Sequence, residues 1–169
     1  MTAWAKGESS PKFPLKRLFS VVSISIGELL MAINRLINNL MVDNVKASVD
    51  FYSRFFGFQM MMAVPAGTED VVNVMSEDGE YAFAAVRNGE IELMFQSVES
   101  LKDEFPDVSY GQPDSRIILY MQVTGLEEFF ETIKNEMEIV KGLHEAFYGM
   151  KEFYVRDMNG YLLGFAEKV

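Results

Sequence analysis

The sequence predicts an α+β fold made of two similar modules. Each half of the chain shows the same order of elements: a strand, an amphipathic helix and then further strands. Each half also ends in a hairpin with Asn-Gly at its turn, Asn88-Gly89 and Asn159-Gly160, a pair that favours tight turns because both residues tolerate positive φ. Val42 and Val123 occupy equivalent positions 81 residues apart. This repetition indicates two βαβββ modules in tandem.

The first module opens with a predicted strand over Leu36–Val42 and a polar break at Asp43-Asn44. Apolar residues then recur at the spacing of one helix face: Val45, Val49, Tyr52 and Phe56. Gly57 is predicted to end this helix. The alternating segments that follow predict four more strands: Phe58–Val64, Val71–Met75, Tyr81–Val86 and Glu90–Gln96.

The second module repeats this order from a strand at Ile117–Val123. Its helix face consists of four apolar residues: Leu126, Phe130, Ile133 and Met137. Three further strands are predicted: Ile139–Leu143, Glu152–Arg156 and Tyr161–Ala166. The segment Ser97–Ser115 contains two prolines and a glycine, and we interpret it as the linker between modules 36–96 and 117–167.

Composition excludes several classes of function. The formal net charge of −10 disfavours binding to nucleic acid or to an anionic membrane surface. The absence of cysteine excludes disulfides and thiolate metal sites, and it agrees with a cytoplasmic location. His144 is the single histidine, so one chain cannot supply a site that needs two.

The first 33 residues need a separate interpretation. Residues 1–16 are polar and are predicted to be disordered, whereas residues 18–33 are apolar. Glu28 interrupts this apolar run, which is too short to span a bilayer and lacks the cleavage site of a secretory signal. One hypothesis is that translation starts at Met31, because Gly27-Glu28 can be encoded by a bacterial ribosome-binding site. Residues 1–30 would then be a non-native extension, and the alternative is an amphipathic helix packed on the domain.

Three segments carry a resemblance to a known family: Leu40–Phe58, Glu90–Gln96 and Tyr148–Glu167. In order and at this spacing they resemble the vicinal oxygen chelate superfamily, which includes glyoxalases, extradiol dioxygenases and bleomycin-resistance proteins. The resemblance covers residues 36–167. It implies one domain of two βαβββ modules whose curved mixed sheet encloses a cleft, and it implies a homodimer. Met158 departs from the family pattern, where proline is usual.

Strand parity separates two faces of the predicted sheet. One face is uniformly apolar and is expected to pack under the helices: Leu40, Val42, Ile91, Leu93, Phe95, Leu119, Met121, Val123, Leu163 and Phe165. The other, which we call the open face, mixes polar and apolar residues. Such a mixture is typical of a small-molecule cavity, although the solvated side of a curved sheet would also show it. The residues predicted to bind a ligand lie on this face or at the mouth of the second module: Asn39, Met41, Glu92, Met94, Gln96, Tyr120, Gln122, His144 and Tyr148.

The resemblance also identifies four positions at which metal-using relatives place their ligands: Ile37, Glu92, Ile118 and Gly164. Only Glu92 could coordinate a cation, and one carboxylate does not define a divalent site. We therefore expect no metal and no other cofactor. No catalytic residue is assigned, since His144 could be a general base, a ligand contact or neither.

Five other polar residues near the carboxyl terminus are interpreted as surface groups. Lys151, Glu152, Arg156 and Asp157 are expected to form surface or strand-end ion pairs, and Glu167 is expected to be an exposed terminal carboxylate.

The resemblance to the bleomycin-resistance branch favours a metal-free binding protein that sequesters a cationic or aromatic molecule in a dimer groove. The 14 Phe and 12 Met residues suit such a cavity, although an ordinary core would use them too. The alternative is a metal-dependent lyase, isomerase or dioxygenase of the glyoxalase type. A third hypothesis is a protein-interaction module, which no specific feature favours.

Overall fold

The first module places an antiparallel three-stranded sheet beside a parallel edge strand. The computed structural model describes residues 35–111 and 117–169. The elements of the first module are β1 (Asn38–Val42), α1 (Val45–Phe56), β2 (Gln59–Pro65), β3 (Tyr81–Asn88) and β4 (Ile91–Ser97). The strands lie in the order β1-β4-β3-β2, with β1 parallel to β4. The predictions for residues 1–33 lie outside the described residues.

The second module has the same topology. Its elements are β5 (Ile118–Gln122), α3 (Leu126–Ile133), β6 (Glu138–Ala146), β7 (Met150–Arg156) and β8 (Leu162–Lys168). The strand order is β5-β8-β7-β6, with β5 parallel to β8. The predicted α+β class and the two βαβββ modules are confirmed, as two four-stranded mixed sheets.

Helix α1 follows the sequence prediction closely. The Asn44 side chain accepts a hydrogen bond from Ala47 N at 2.8 Å and so satisfies a free amide of the first turn. Gly57 ends the helix with φ 67°, a conformation that glycine adopts without strain. The predicted apolar face is buried at Val45, Val49 and Tyr52.

Three predicted elements differ from the structure. Val71–Met75 is not a strand, because only Val72 pairs, in a single bridge to Ala63, while Val71 and Val74 are exposed. The linker contains helix α2 (Val98–Glu104), and its residues 112–116 lie outside the described part. Helix α3 ends at Ile133, before Met137, because the polar residues that follow form a turn.

The core lies between the helices and the apolar faces of both sheets. The rings of Phe56 and Phe129 lie 6.3 Å apart, and those of Phe56 and Phe165 lie 5.3 Å apart, so aromatic contacts join the two modules. Polar contacts join them as well, since Tyr52 of α1 donates to Asp157 in the second hairpin turn at 2.8 Å. Residues Ile37–Val169 form one compact unit.

Within the described ranges 35–111 and 117–169, no helix combines the length and apolarity needed to cross a bilayer.

Candidate functional site

A buried carboxylate lies on the open face of the second sheet. In β7 the side chains of Phe153 and Val155 are fully buried in the core. Because side chains alternate along a strand, Glu152 and Tyr154 point to the opposite face. Glu152 is only 3% exposed there. A buried acid requires hydrogen-bond partners, since the loss of hydration is costly.

Three tyrosines supply these partners. The hydroxyls of Tyr148 and Tyr120 donate to Glu152 Oε2 at 2.7 and 2.9 Å, and that of Tyr154 donates to Oε1 at 3.1 Å. Tyr148 and Tyr120 remain 54% and 42% exposed, so the cluster opens to solvent through their rings. The arrangement therefore places a negative charge behind an aromatic surface.

The hydrogen bonds keep this carboxylate ionised. Burial alone would raise the pKa of Glu152, but the hydroxyls of Tyr148, Tyr120 and Tyr154 hold its pKa below the usual value. The pKa values of Tyr148 and Tyr154 shift in the opposite direction, upward. The hydrogen bond to Glu152 raises the pKa of Tyr148 to about 12, and burial together with the same carboxylate raises the pKa of Tyr154 to about 12.

His144 adds a fourth group to the cluster. Its Nδ1 lies 2.8 Å from Gly142 O, and because a carbonyl oxygen only accepts, Nδ1 must carry a proton. Its Nε2 lies 3.3 Å from Glu152 Oε1 but is buried without a well-oriented hydrogen bond.

Gly164 has a packing role in this cluster. The strand register places Gly164 of β8 between Tyr120 of β5 and Tyr154 of β7. A Cβ at Gly164 would lie 2.8 Å from Tyr154 Cε1 and 3.0 Å from Tyr120 Cδ2. The two rings therefore close over this position, and the absence of a side chain allows both to reach Glu152.

A second polar group lies on the open face of the first sheet. Asn39 Nδ2 donates to Gln96 Oε1 at 2.6 Å, and Gln96 Nε2 donates to Glu104 Oε2 at 2.8 Å and to Ser100 Oγ at 3.1 Å. These contacts join the sheet to α2. The amide of Gln96 is thus engaged within the protein, whereas Asn39 is exposed.

The structure brings together some of the predicted ligand-binding residues and separates others. Tyr120, His144 and Tyr148 meet around Glu152, while Asn39 and Gln96 form the group in the first module.

The remaining predicted residues lie elsewhere. Glu92 accepts hydrogen bonds from Arg87 Nε and Nη2 at 2.8 and 2.6 Å. The other three lie apart from the carboxylate cluster: Met41 and Met94, both partly buried, and Gln122, which lines a pocket between the modules.

Two predicted surface acids are instead buried. Glu152 and Asp157 are 3% and 5% exposed, and each accepts hydrogen bonds rather than forming a surface ion pair with a lysine or arginine. Burial raises the pKa of Asp157. The prediction of surface ion pairs is confirmed for Lys151 with Glu127 and for Arg156 with Glu138.

Glu167 is likewise not a free terminal carboxylate. Its two oxygens accept from Gly125 N and Leu126 N at 2.9 and 3.0 Å, at the start of α3. These backbone donors lower the pKa of Glu167.

The four family metal positions do not fit a divalent ion. Ile37 and Ile118 have no donor atom, Gly164 is covered by tyrosine rings, and Glu92 is bonded to Arg87. Among residues 35–111 and 117–169, no three histidine, aspartate or glutamate side chains cluster in a way that could hold a metal.

The family is shown by a sequence model of the Glyoxalase/Bleomycin resistance protein/Dioxygenase superfamily, which matches residues 32–165. The match covers most of the chain, and the duplicated modules agree with it. The chain belongs to this superfamily. No curated protein matches the chain in sequence.

Several solved structures are similar to this chain in fold, and their descriptions differ from one another. TioX from Micromonospora sp. ML1 has 20% sequence identity and a TM-score of 0.61, over 80% of this chain and 98% of that chain. Lactoylglutathione lyase from Agrobacterium tumefaciens has 17% identity and a TM-score of 0.54, over 81% and 95%. A glyoxalase/bleomycin resistance protein/dioxygenase family enzyme from Burkholderia phytofirmans PsJN has 16% identity and a TM-score of 0.56, over 79% and 97%. At these identities the likeness extends to the fold alone.

Proposed function

We propose that the protein binds a small cationic aromatic molecule at the Glu152 cluster and does so without a metal ion. The ionised Glu152, enclosed by Tyr120, Tyr148 and Tyr154, carries this proposal. A carboxylate that is shielded from water attracts a cation more strongly than an exposed one does. The net charge of −10 adds a long-range attraction for cations.

The aromatic part of the ligand would meet the exposed rings. Tyr120 and Tyr148 present open ring surface, and Phe147 is fully exposed with its ring 5.1 Å from that of Tyr148. A cation over a tyrosine face gains about 0.5–2 kcal/mol, and stacked rings gain a further contribution of similar size. The combination favours a planar cation over a neutral or anionic compound.

The donor set supports binding without a metal. A divalent ion needs several oxygen or nitrogen ligands, and the family positions supply Glu92 alone, which already binds Arg87. Among the described residues, no three acidic or histidine side chains come together in a way that could hold a metal. A metal-dependent lyase, isomerase or dioxygenase of the glyoxalase type therefore remains only an alternative. Assays of methylglyoxal–thiol adducts and of catechols, with and without added Ni²⁺, Mn²⁺, Fe²⁺ or Zn²⁺, would detect it.

A homodimer is part of the proposal, because one sheet leaves the cluster open. Strands β5 and β6 are the edges of the second sheet, and β1 and β2 are the edges of the first. A second copy of the chain could cover these edges and close a groove over the exposed rings. Sedimentation equilibrium would test the dimer independently of ligand binding.

A matched pair of compounds tests the ligand class directly. N-methylacridinium and acridone have nearly the same size and ring system, but only the first carries a permanent positive charge. N-methylacridinium is expected to raise the melting temperature of the protein in a concentration-dependent manner, because it binds the folded state. Acridone is expected to have little effect. Equal shifts from both compounds, or no shift from either, would refute a site selective for cations.

A further inference from the structure

The duplication makes the positions of the two modules directly comparable. Val45 and Leu126 begin the two helices, and Asn39↔Met94 and Tyr120↔Gly164 are equivalent parallel pairs. Continuing this register makes Ile91 the counterpart of Tyr161, and Gln122 the counterpart of Met41. The helix positions Ser48 and Phe129 correspond in the same way. Asn88 and Asp157 correspond because Asn88 pairs with Ile91 and Asp157 bonds to Tyr161.

In one half of the molecule, the second hairpin turn fills the space beside α1. Tyr161 donates its hydroxyl to Met41 O at 3.0 Å, and Asn159 Nδ2 donates to Ser48 Oγ at 3.0 Å. Asp157 accepts the hydroxyl of Tyr52 at 2.8 Å. A large ring and three polar contacts therefore seal this junction of the modules.

In the other half, the equivalent junction is a pocket of about 430 Å³. Its walls include the counterparts of the sealing residues: Asn88, Ile91, Gln122 and Phe129. The first turn has one residue fewer, Gly89-Glu90 between Asn88 and Ile91, and Ile91 is smaller than tyrosine. Asn88 donates instead to Phe56 O at 2.8 Å. The shorter turn and the smaller side chain leave the space open.

The chemistry of the walls defines what the pocket can bind. Five phenylalanines contribute to the lining: Phe55, Phe56, Phe58, Phe129 and Phe165. Of the described residues that line it, none is charged, and Gln122, Thr124 and Asn88 provide the polar side chains. Ile133 stands where the other half has Tyr52, so the counterpart of the buried Tyr52–Asp157 contact is missing. A charged ligand would lose its hydration here without compensation.

We propose that this pocket is a second small-molecule site, which binds a neutral, mainly apolar aromatic compound. Its volume lies within the range of small-molecule sites, and its composition of apolar walls with a few polar groups is typical of them. Phe55 and Phe56 of α1 and Phe129 of α3 line the pocket, whereas no residue of the Glu152 cluster does. The two sites are therefore separate and differ in the charge they accept.

The test uses N-phenylnaphthylamine, a neutral dye whose fluorescence rises in apolar surroundings. We expect saturable binding with one equivalent per chain. Ile91→Tyr inserts the ring that fills the equivalent space in the other half, so it should weaken binding by about tenfold. Ile91 is 56% exposed, so the larger side chain should not disturb the core. Thr124→Tyr places a ring in the same pocket from another wall and should have the same effect.

Val140→Tyr is the matched control, because Val140 is a similarly exposed strand residue of β6 outside this pocket. It should bind the dye as the wild type does. Thermal unfolding of each variant verifies that it is folded. Absence of saturable binding in the wild type would overturn the proposal, as would unchanged affinity in both pocket variants. Displacement of the dye by N-methylacridinium at equal stoichiometry would also overturn it, since that would place both compounds in one site.

Discussion

Gly164 is the residue whose interpretation changes most. At the sequence level it marks a metal-ligand position without a side chain. In the structure the rings of Tyr120 and Tyr154 pack against Gly164 of β8, and their hydroxyls reach Glu152. The same glycine therefore leaves the family's metal-ligand position without a donor and provides the space in which the two tyrosine rings pack.

Gly164→Ala tests this role. The added Cβ would lie less than 3.0 Å from the Tyr154 ring, so the ring must shift and its hydrogen bond to Glu152 must weaken. We expect a loss of about 1–3 kcal/mol in the free energy of unfolding, measured by chemical denaturation. The pKa of Tyr154 should also fall, measured as tyrosinate absorbance during alkaline titration. Gly142→Ala is the control, because a Cβ there meets no neighbouring atom. Equal effects of the two substitutions would contradict a specific role for Gly164.

Glu152 could have been found from the sequence by extending strand parity to β7. Phe153 and Val155 mark the buried face, so Glu152 and Tyr154 must lie on the face that also carries Tyr120. The burial of Glu152 was not predictable in this way. It depends on Tyr148, in the turn before β7, and on His144 of the neighbouring strand, whose side-chain directions parity does not fix.

At the scale of the elements, the equivalent helices of the two modules, α1 and α3, begin differently. Helix α1 is capped by its own Asn44, whereas the equivalent residue of α3 is Gly125, which has no side chain to accept a hydrogen bond. Glu167 of β8 supplies the missing acceptor and so connects the last strand to α3. The capping interaction spans more than 40 residues, and helix-cap patterns in sequence do not reveal such a partner.

Glu167→Ala should therefore lower the melting temperature at neutral pH. Because the backbone donors lower the pKa of Glu167, its contribution is present above its ordinary pKa of 4.5 and is lost as acid protonates it in the folded state. The difference between variant and wild type should shrink at low pH, measured by thermal unfolding across pH. Lys168→Ala is an adjacent, exposed control. A difference that persists unchanged in acid would show that the charge does not act through this cap.

Helix α2 shows why the linker prediction was incomplete. None of its residues is buried, so it has no apolar stripe for the helical periodicity to detect. Its start depends on Ser97, whose side chain accepts from Ser100 N at 3.2 Å. Its contact with the sheet includes the hydrogen bond from Gln96, which ends a predicted strand, to Glu104, a polar residue of the predicted linker.

At the scale of the whole molecule, the duplication was predictable because each module repeats its own local pattern. The difference between the two junctions of the modules, one filled and one open, was not predictable. It depends on single differences between equivalent positions, such as Tyr161 against Ile91 and Asp157 against Asn88. These differences close one junction and leave a pocket at the other, so an internal repeat has produced two chemically distinct surfaces.

If the charge of Glu152 recruits the cationic ligand, removal of that charge must weaken binding. The most direct measurement is calorimetric titration of N-methylacridinium into the wild type, Glu152→Gln and Glu145→Gln. Both substitutions remove one negative charge, but Glu145 is exposed outside the tyrosine cluster. Glu152→Gln is expected to weaken binding by about tenfold, while Glu145→Gln should bind as the wild type does. Equal affinities of Glu152→Gln and the wild type would contradict it.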